Sequence, residues 1–230
     1  MLALTFTQNV QDRFTGWQDI PLAGEGIIAS QRAAKLLRSQ GYTFDCAYSS
    51  ALIRSIKTMH IILEEMGLEH IPEVKTWKLN ERMYGQLQGM NKSEAKKHFG
   101  EAQIQEWRRS YDVPPPPVTI DDERWPGHFD KYKKMMKKEE IPRSECLKDI
   151  VNRTISLWRE ELEPLIRRGN RLLVVAHGSN IRAFMHIVCG MSEEECSVFE
   201  SKNGVPLIIR LRRDDLHLMD YHFLETKSNL

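Results

Sequence analysis

An α/β fold built on a largely parallel sheet is predicted by two features of the sequence. Strand-like and helix-like segments alternate along most of the chain, and one strand candidate, Leu172–Ala176 (LLVVA), is apolar at every position. A strand without a polar face is buried on both sides, and alternation of this kind places helices against a parallel sheet. The 230 residues are enough for one sizeable domain or two small ones. In such sheets ligands bind beyond the carboxyl ends of the strands, so chemistry is expected there.

The elements follow in order. Leu2–Thr7 is a strand candidate. Gly24–Ser39 has helical periodicity, with Ile27, Ala33, Ala34 and Leu37 on one face, and Gly41 stops it. Cys46–Ser49 is a short strand candidate, and Ile53–Met66 a helix ended by Gly67. Ser93–Phe99 and Glu101–Arg109 read as two short helices split at Gly100. Pro114–Pro117 cannot lie inside a helix or a central strand. With the polar stretch from Thr119 to Glu140 it predicts a surface excursion over about 114–140, mobile and partly covering the site, with a short helix around Phe129–Met136. The five lysines of Lys131–Lys138 read as a solvated face rather than a phosphate-attracting rim. Cys146–Arg168 reads as one long amphipathic helix, interrupted or bent near Pro164 and stopped by Gly169. Asn180–Cys189 is a helix, and Pro206–Leu211 and Leu216–Tyr221 are late strand candidates. No internal repeat is present.

Composition narrows the function classes. Lys plus Arg number 33 and Asp plus Glu 32, so the near-neutral total gives no reason to expect nucleic acid or a membrane surface as partner. No apolar run approaches the ~18–20 residues of a membrane span. The apolar start, Met1–Phe6, lacks the basic flank of a signal peptide. Four cysteines (Cys46, Cys146, Cys189, Cys196) form no C-x-x-C pair and no zinc-like spacing with His, so reduced thiols in a cytoplasmic protein without a metal are expected.

Five segments concentrate groups suited to chemistry. Ala176-His177-Gly178-Ser179-Asn180 sits between the apolar strand and a helix, where free N–H groups attract anions and a His can donate to, or act on, a phosphoryl oxygen. Leu79–Gly85 holds Glu81, a general acid/base candidate, beside Arg82, Met83 and Tyr84; a structural Glu81–Arg82 ion pair is an equal alternative. Trp107–Tyr111 carries Arg108 and Arg109, which with Lys92 form a fork for phosphate or carboxylate, or else a solvated helix end. Tyr48–Ser55 places Arg54 at the same sheet edge as His177. Arg13-Phe14-Thr15-Gly16-Trp17 is a compact loop offering a hydroxyl and a backbone N–H, or simply a packed turn. Together these make a positive site in a neutral protein, which suits a small phosphorylated acid.

These same segments resemble the cofactor-dependent phosphoglycerate mutases of the histidine phosphatase superfamily. Glu145-Cys-Leu-Lys-Asp149, Gly190-Met-Ser-Glu-Glu194 and Gly204-Val-Pro-Leu207 add to the match, which runs in order from about residue 9 to 221. The resemblance implies a three-layer α/β/α fold and interconversion of 3- and 2-phosphoglycerate in glycolysis, with 2,3-bisphosphoglycerate as primer and no metal. It implies Glu81 as proton donor/acceptor, His177 as the histidine that stabilises the transferring phosphoryl group, and Arg54 as a phosphate-binding residue. Ligand contacts are implied for Asn9, Thr15, Gly16, Tyr84, Lys92, Arg108, Arg109, Gly178 and Ser179.

One motif departs. The nucleophile of these mutases is the His of an Arg-His-Gly at the end of the first strand. Counting back from Arg13 without a gap puts Leu2-Ala3-Leu4 over it; taking Leu2–Phe6 as the strand puts Thr7-Gln8 near its end. Neither register supplies a His, since the first is His60. The first strand is therefore expected to be curtailed or altered. Ser179-Asn180 also reverses the usual Asn-Ser, and Met83 stands where a His is common. Two readings remain open: a mutase by descent, or a phosphoglycerate-binding pseudoenzyme that acts alone, as a homo-oligomer, or with an active paralogue. A superfamily phosphatase is a third, less favoured reading.

Overall fold

The computed structural model describes residues 2–6, 12–202 and 204–225, the first of these through their backbone. Its strands are β1 (Leu2–Phe6), β2 (Cys46–Ser50), β3 (Glu73–Thr76), β4 (Leu172–Ala176), β5 (Leu207–Leu211) and β6 (Leu218–Phe223). The principal helices are α1 (Gly24–Ser39), α2 (Ile53–Met66), α3 (Lys92–Phe99), α4 (Glu101–Arg109), α5 (Asp130–Met135), α6 (Leu147–Leu157), α7 (Glu163–Arg167), α8 (Gly178–Cys189) and α9 (Glu193–Val198). The sheet order is β3-β2-β4-β1-β5-β6. The first four strands run parallel; β5 and β6 close the far edge antiparallel.

The apolar run of β4 is explained by its two faces. Leu172, Val174 and Ala176 pack with Leu157, Leu162, Ile166, Ile181 and Phe184. Leu173 and Val175 point the other way, against Ala34, Leu37, Met59, Ile62 and Leu63 of α1 and α2. Successive side chains of a strand alternate between faces, so burial on both demands an unbroken apolar sequence. Three layers result.

β1 pairs with β4 residue for residue, from Leu2↔Leu172 to Phe6↔Ala176. All five residues of β1 are thus paired. Ala3 lies between Leu173 and Ile208, in the middle of the sheet and not at its carboxyl edge. The ungapped register is therefore not the one the fold adopts.

β3 escapes the sequence pattern because it is an edge strand whose alternate residues, Glu73 and Lys75, are charged. The helix over 146–168 is interrupted near Pro164 as expected, running as α6, a π-turn at Trp158–Leu162, and α7. Pro164 lacks the N–H that would bond four residues back and its ring crowds that carbonyl, so the ladder is rearranged in the turn before it. The excursion packs onto the rest of the domain. Val118, Trp125, Tyr132, Met136 and Ile141 form a cluster with Trp17, Ala51 and Met83. Lys131, expected in a solvated face, pairs with Asp19 and donates to Ala51 O at 2.9 Å. Arg124 donates to Gln86 O (2.9 Å), and Asn80 Nδ2 to Tyr132 Oη (3.2 Å). Tyr132→Ala should destabilise the protein by about 3–5 kcal/mol, the usual cost of truncating a buried aromatic. Limited proteolysis within 119–140 should accelerate in that variant and be slow in the parent; rapid cutting of the parent would show the cluster to be weak.

Candidate active site

β2 and β4 are neighbours, so their carboxyl ends bring Ser50 and His177 together. His177 precedes α8 in an extended conformation and is 2% exposed. Its Nε2 lies 2.8 Å from Ser50 Oγ, which also accepts from the Leu52 N–H (3.3 Å). Burial, then the charges of Arg54 and Arg153, hold the imidazole pKa well below its ordinary value of 6.5. His177 is therefore neutral in the folded protein at neutral pH. The linkage has a definite sign: as pH falls below about 6.5 the unfolded chain takes up a proton that the folded chain refuses. Stability is full above that pH and is lost as pH drops toward the folded-state pKa, by up to about 1.4 kcal/mol per unit. Denaturant titrations of the protein and of His177→Asn should diverge in slope only below pH 6.5; parallel curves would show that His177 titrates normally.

The residues after His177 divide their tasks. A Cβ on Gly178 would meet only Ser201 Oγ, at 3.5 Å, so protein packing does not demand the glycine. Ser179 is buried. Asn180, its amide turned so that nitrogen faces the carbonyls, donates to Leu79 O (3.0 Å) and Asn80 O (3.3 Å). It ties the first turn of α8 to the segment that carries Glu81.

That segment is held from several sides. Arg153 donates to Lys78 O (2.6 Å), Asn80 O (2.7 Å) and Glu81 O (3.1 Å), and Trp17 Nε1 also donates to Glu81 O (2.6 Å). Glu81 Oε1 accepts the Arg82 backbone N–H at 2.8 Å. The Arg82 guanidinium turns away, to Trp107 O (3.1 Å) and Arg108 O (3.0 Å) at the end of α4, and stands 5.1 Å from the Tyr84 ring centre. The Glu81–Arg82 ion pair is thus not the arrangement formed.

Arg54 is 4% exposed and donates to Gln18 O and Gly16 O, each at 2.8 Å. Gly16 takes φ +50°, and a Cβ there would stand 2.4 Å from Gln88 Oε1 and 3.0 Å from Arg82 O, so only glycine fits. Thr15, buried beside it, accepts the Gln18 N–H through its carbonyl. Burial lowers the Arg54 pKa, while the carboxylates of Glu81 and Asp19 oppose that shift. Arg54 therefore acts electrostatically on both Glu81 and His177, and the three form one constellation at the carboxyl edge of the sheet.

A second cationic group lies beside it. Arg109 Nη1 is buried with no hydrogen-bond partner, and Nη2 is 3.9 Å from Glu200. Arg182, absent from the sequence-derived set, donates to Phe199 O (3.0 Å). Burial, then Arg109 and Arg82, push its pKa down to about 10, while Tyr84 and Glu81 oppose this. Its signal was position: four residues after Gly178 on α8, it shares that residue's helix face. Arg108 is half-buried, and its carbonyl serves Arg82. Lys92 is bound to Asp12 (3.0 Å), so it is drawn into a surface pair and not to the guanidinium group. Asn9 lies outside the described residues. Among the described residues no three His, Cys, Asp or Glu side chains form a metal-holding cluster, and no helix is long and apolar enough to cross a membrane.

The sequence pattern of the histidine phosphatase superfamily (branch 1) matches residues 5–121 and 119–222. The chain belongs to that superfamily. Solved structures share the fold of this chain at low identity. A mycobacterial glucosyl-3-phosphoglycerate phosphatase is 17% identical, with TM-score 0.67 over 96% of this chain and 95% of its own. The alpha-ribazole phosphatase of Shigella flexneri is 18% identical, with TM-score 0.69 over 99% and 96%. YhfR of Bacillus stearothermophilus is 19% identical, with TM-score 0.65 over 95% and 94%.

Proposed function

We propose that this member of the histidine phosphatase superfamily binds 3- and 2-phosphoglycerate as the phosphoglycerate mutases do, and that the 230-residue chain does not turn them over. The carrying observation is the cation set: Arg54, Arg82, Arg109 and Arg182 are all buried or half-buried around Glu81 and a neutral His177. Buried cations need anions, and Arg109 leaves one nitrogen unpartnered. A carboxylate and a phosphate on one small molecule answer both requirements. Arg54 with the α8 N-terminus suits the phosphate; Arg108 and Arg109 suit the distal anion, with Tyr84 beside them. Neutral His177 stabilises a phosphoryl oxygen by donating a hydrogen bond, and Glu81 exchanges a proton with the substrate hydroxyl.

2,3-Bisphosphoglycerate fits the same cations as a ligand. It does not fit as a phosphoryl donor, because no imidazole follows β1. The first histidine, His60, is on α2 and bonded to Glu73 at 3.0 Å. Hydrolysis of another phosphomonoester, as the names of the structural neighbours describe for those proteins, would need the same acceptor. Calorimetry with 3-phosphoglycerate, 2-phosphoglycerate and 2,3-bisphosphoglycerate should give saturable binding. Mutase assays with the primer, and hydrolysis of p-nitrophenyl phosphate, should stay at background. No heat with any phosphoglycerate would overturn the binding assignment; turnover of purified protein would overturn the second half.

A further inference from the structure

The Glu145–Asp149 motif places a charged pair behind the site, not in it. Glu145 and Arg153 are 4% and 7% exposed, and Arg153 Nε meets Glu145 Oε1 at 2.9 Å. Removing two charges from water is costly, and an apolar pair of similar volume is often as stable. Stability alone therefore does not explain the pair.

Its bonds show what else it does. Arg153 binds the carbonyls of Lys78, Asn80 and Glu81, across more than 70 residues of sequence. Glu145 Oε2 accepts the Met83 N–H (2.8 Å), and the Glu145 N–H donates to Met83 O (2.8 Å). Asn180 takes Leu79 O from the other side. Every carbonyl from Lys78 to Glu81 is thereby engaged, and Glu81 is fixed between two anchors, Arg153 before it and Glu145 after it. We propose that Glu145 and Arg153 are positioning residues that set the backbone carrying Glu81, and through it the geometry of the anion site. The inference rests on the reading of Glu81 as a ligand-facing group. Arg153 also bears on His177, whose imidazole its charge helps to keep neutral, so one buried guanidinium supports both members of the constellation.

The test separates positioning from simple stabilisation. Arg153→Met with Glu145→Met exchanges the ion pair for an apolar one. The indole N–H of Trp17, 2.6 Å from Glu81 O, reports the loop through its 1H–15N resonance, assigned with Trp17→Phe. The double variant takes partners from the carbonyls of Lys78 and Asn80 and from the Met83 N–H, so it should melt below the parent. It should shift the Trp17 resonance upfield and weaken 3-phosphoglycerate binding at least tenfold. Arg153→Lys retains the charge but cannot span three carbonyls and a carboxylate; it should shift the resonance too, and it decides the matter if the double variant does not fold. An unmoved Trp17 resonance in a folded variant would overturn the proposal. If the parent binds no phosphoglycerate, the functional reading falls, while the Trp17 shift still decides the positioning role.

Discussion

Mutase turnover should appear when Phe6→Arg, Thr7→His and Gln8→Gly are introduced together, and should be absent from the unmodified chain. The register is the reason. β1 stays paired with β4 up to Phe6↔Ala176, one residue before His177. Residue 7 is the first after β1, as His177 is the first after β4. Removing the nucleophile from a catalytic constellation costs about 10⁶ in kcat where it has been measured. Misplacement by about 1 Å costs about 10². A gain of about 10³ or more is therefore expected even from imperfect grafting. Ala3→His is the contrasting variant: Ala3 pairs with Leu173 and Ile208 inside the sheet, so it should gain nothing and lose stability. The assay is conversion of 3- to 2-phosphoglycerate with 2,3-bisphosphoglycerate present, alongside acid-labile phosphate incorporation. A triple variant that binds ligand yet incorporates no phosphate would show that more than the nucleophile is missing.

Arg54→Met should weaken 3-phosphoglycerate binding by about 10–100-fold, the worth of one charge-assisted hydrogen bond to the phosphate. The loop carrying Thr15 and Gly16 should also loosen, because Arg54 binds the carbonyls of Gly16 and Gln18. Arg54→Lys should rescue little, since an ammonium cannot reach both carbonyls and an anion in a planar fork. Calorimetry on variants whose melting temperature lies near the parent's separates binding from folding. An affinity unchanged within twofold would remove Arg54 from the anion site.

Much of the architecture was legible because it is local. The apolar LLVVA strand, helices ended by Gly41, Gly67 and Gly169 at positive φ, and the His177-Gly178 junction after β4 are all visible as short patterns. The structure also brings three residues of the expected set, Arg54, Glu81 and His177, to one edge of the sheet. The pairing of Lys92 with Asp12 was not legible, because the two are 80 residues apart in sequence. Arg182 was passed over because a basic residue on a helix usually faces solvent. The excursion was read as loose because its aromatic residues, Trp125 and Tyr132, are spaced without periodicity and find Trp17 and Met83 only in three dimensions.

The amino-acid sequence by itself determined the layers of this protein, the strand ends at which its candidate site lies, and the lack of a histidine between Leu2 and His60. Periodicity, glycine stops and residue identity are properties of short stretches, and they act before the chain is packed. Only the tertiary structure decided the register of β1, which puts Phe6 and not Ala3 at the sheet edge, because that register depends on β4 and β5 lying on either side of it. It alone decided that Arg153 holds the Glu81 segment and that Arg82 turns away from Glu81 to α4. Buried hydrogen bonds of this kind are chosen by which polar groups are trapped together when water is excluded, and no local pattern carries that choice.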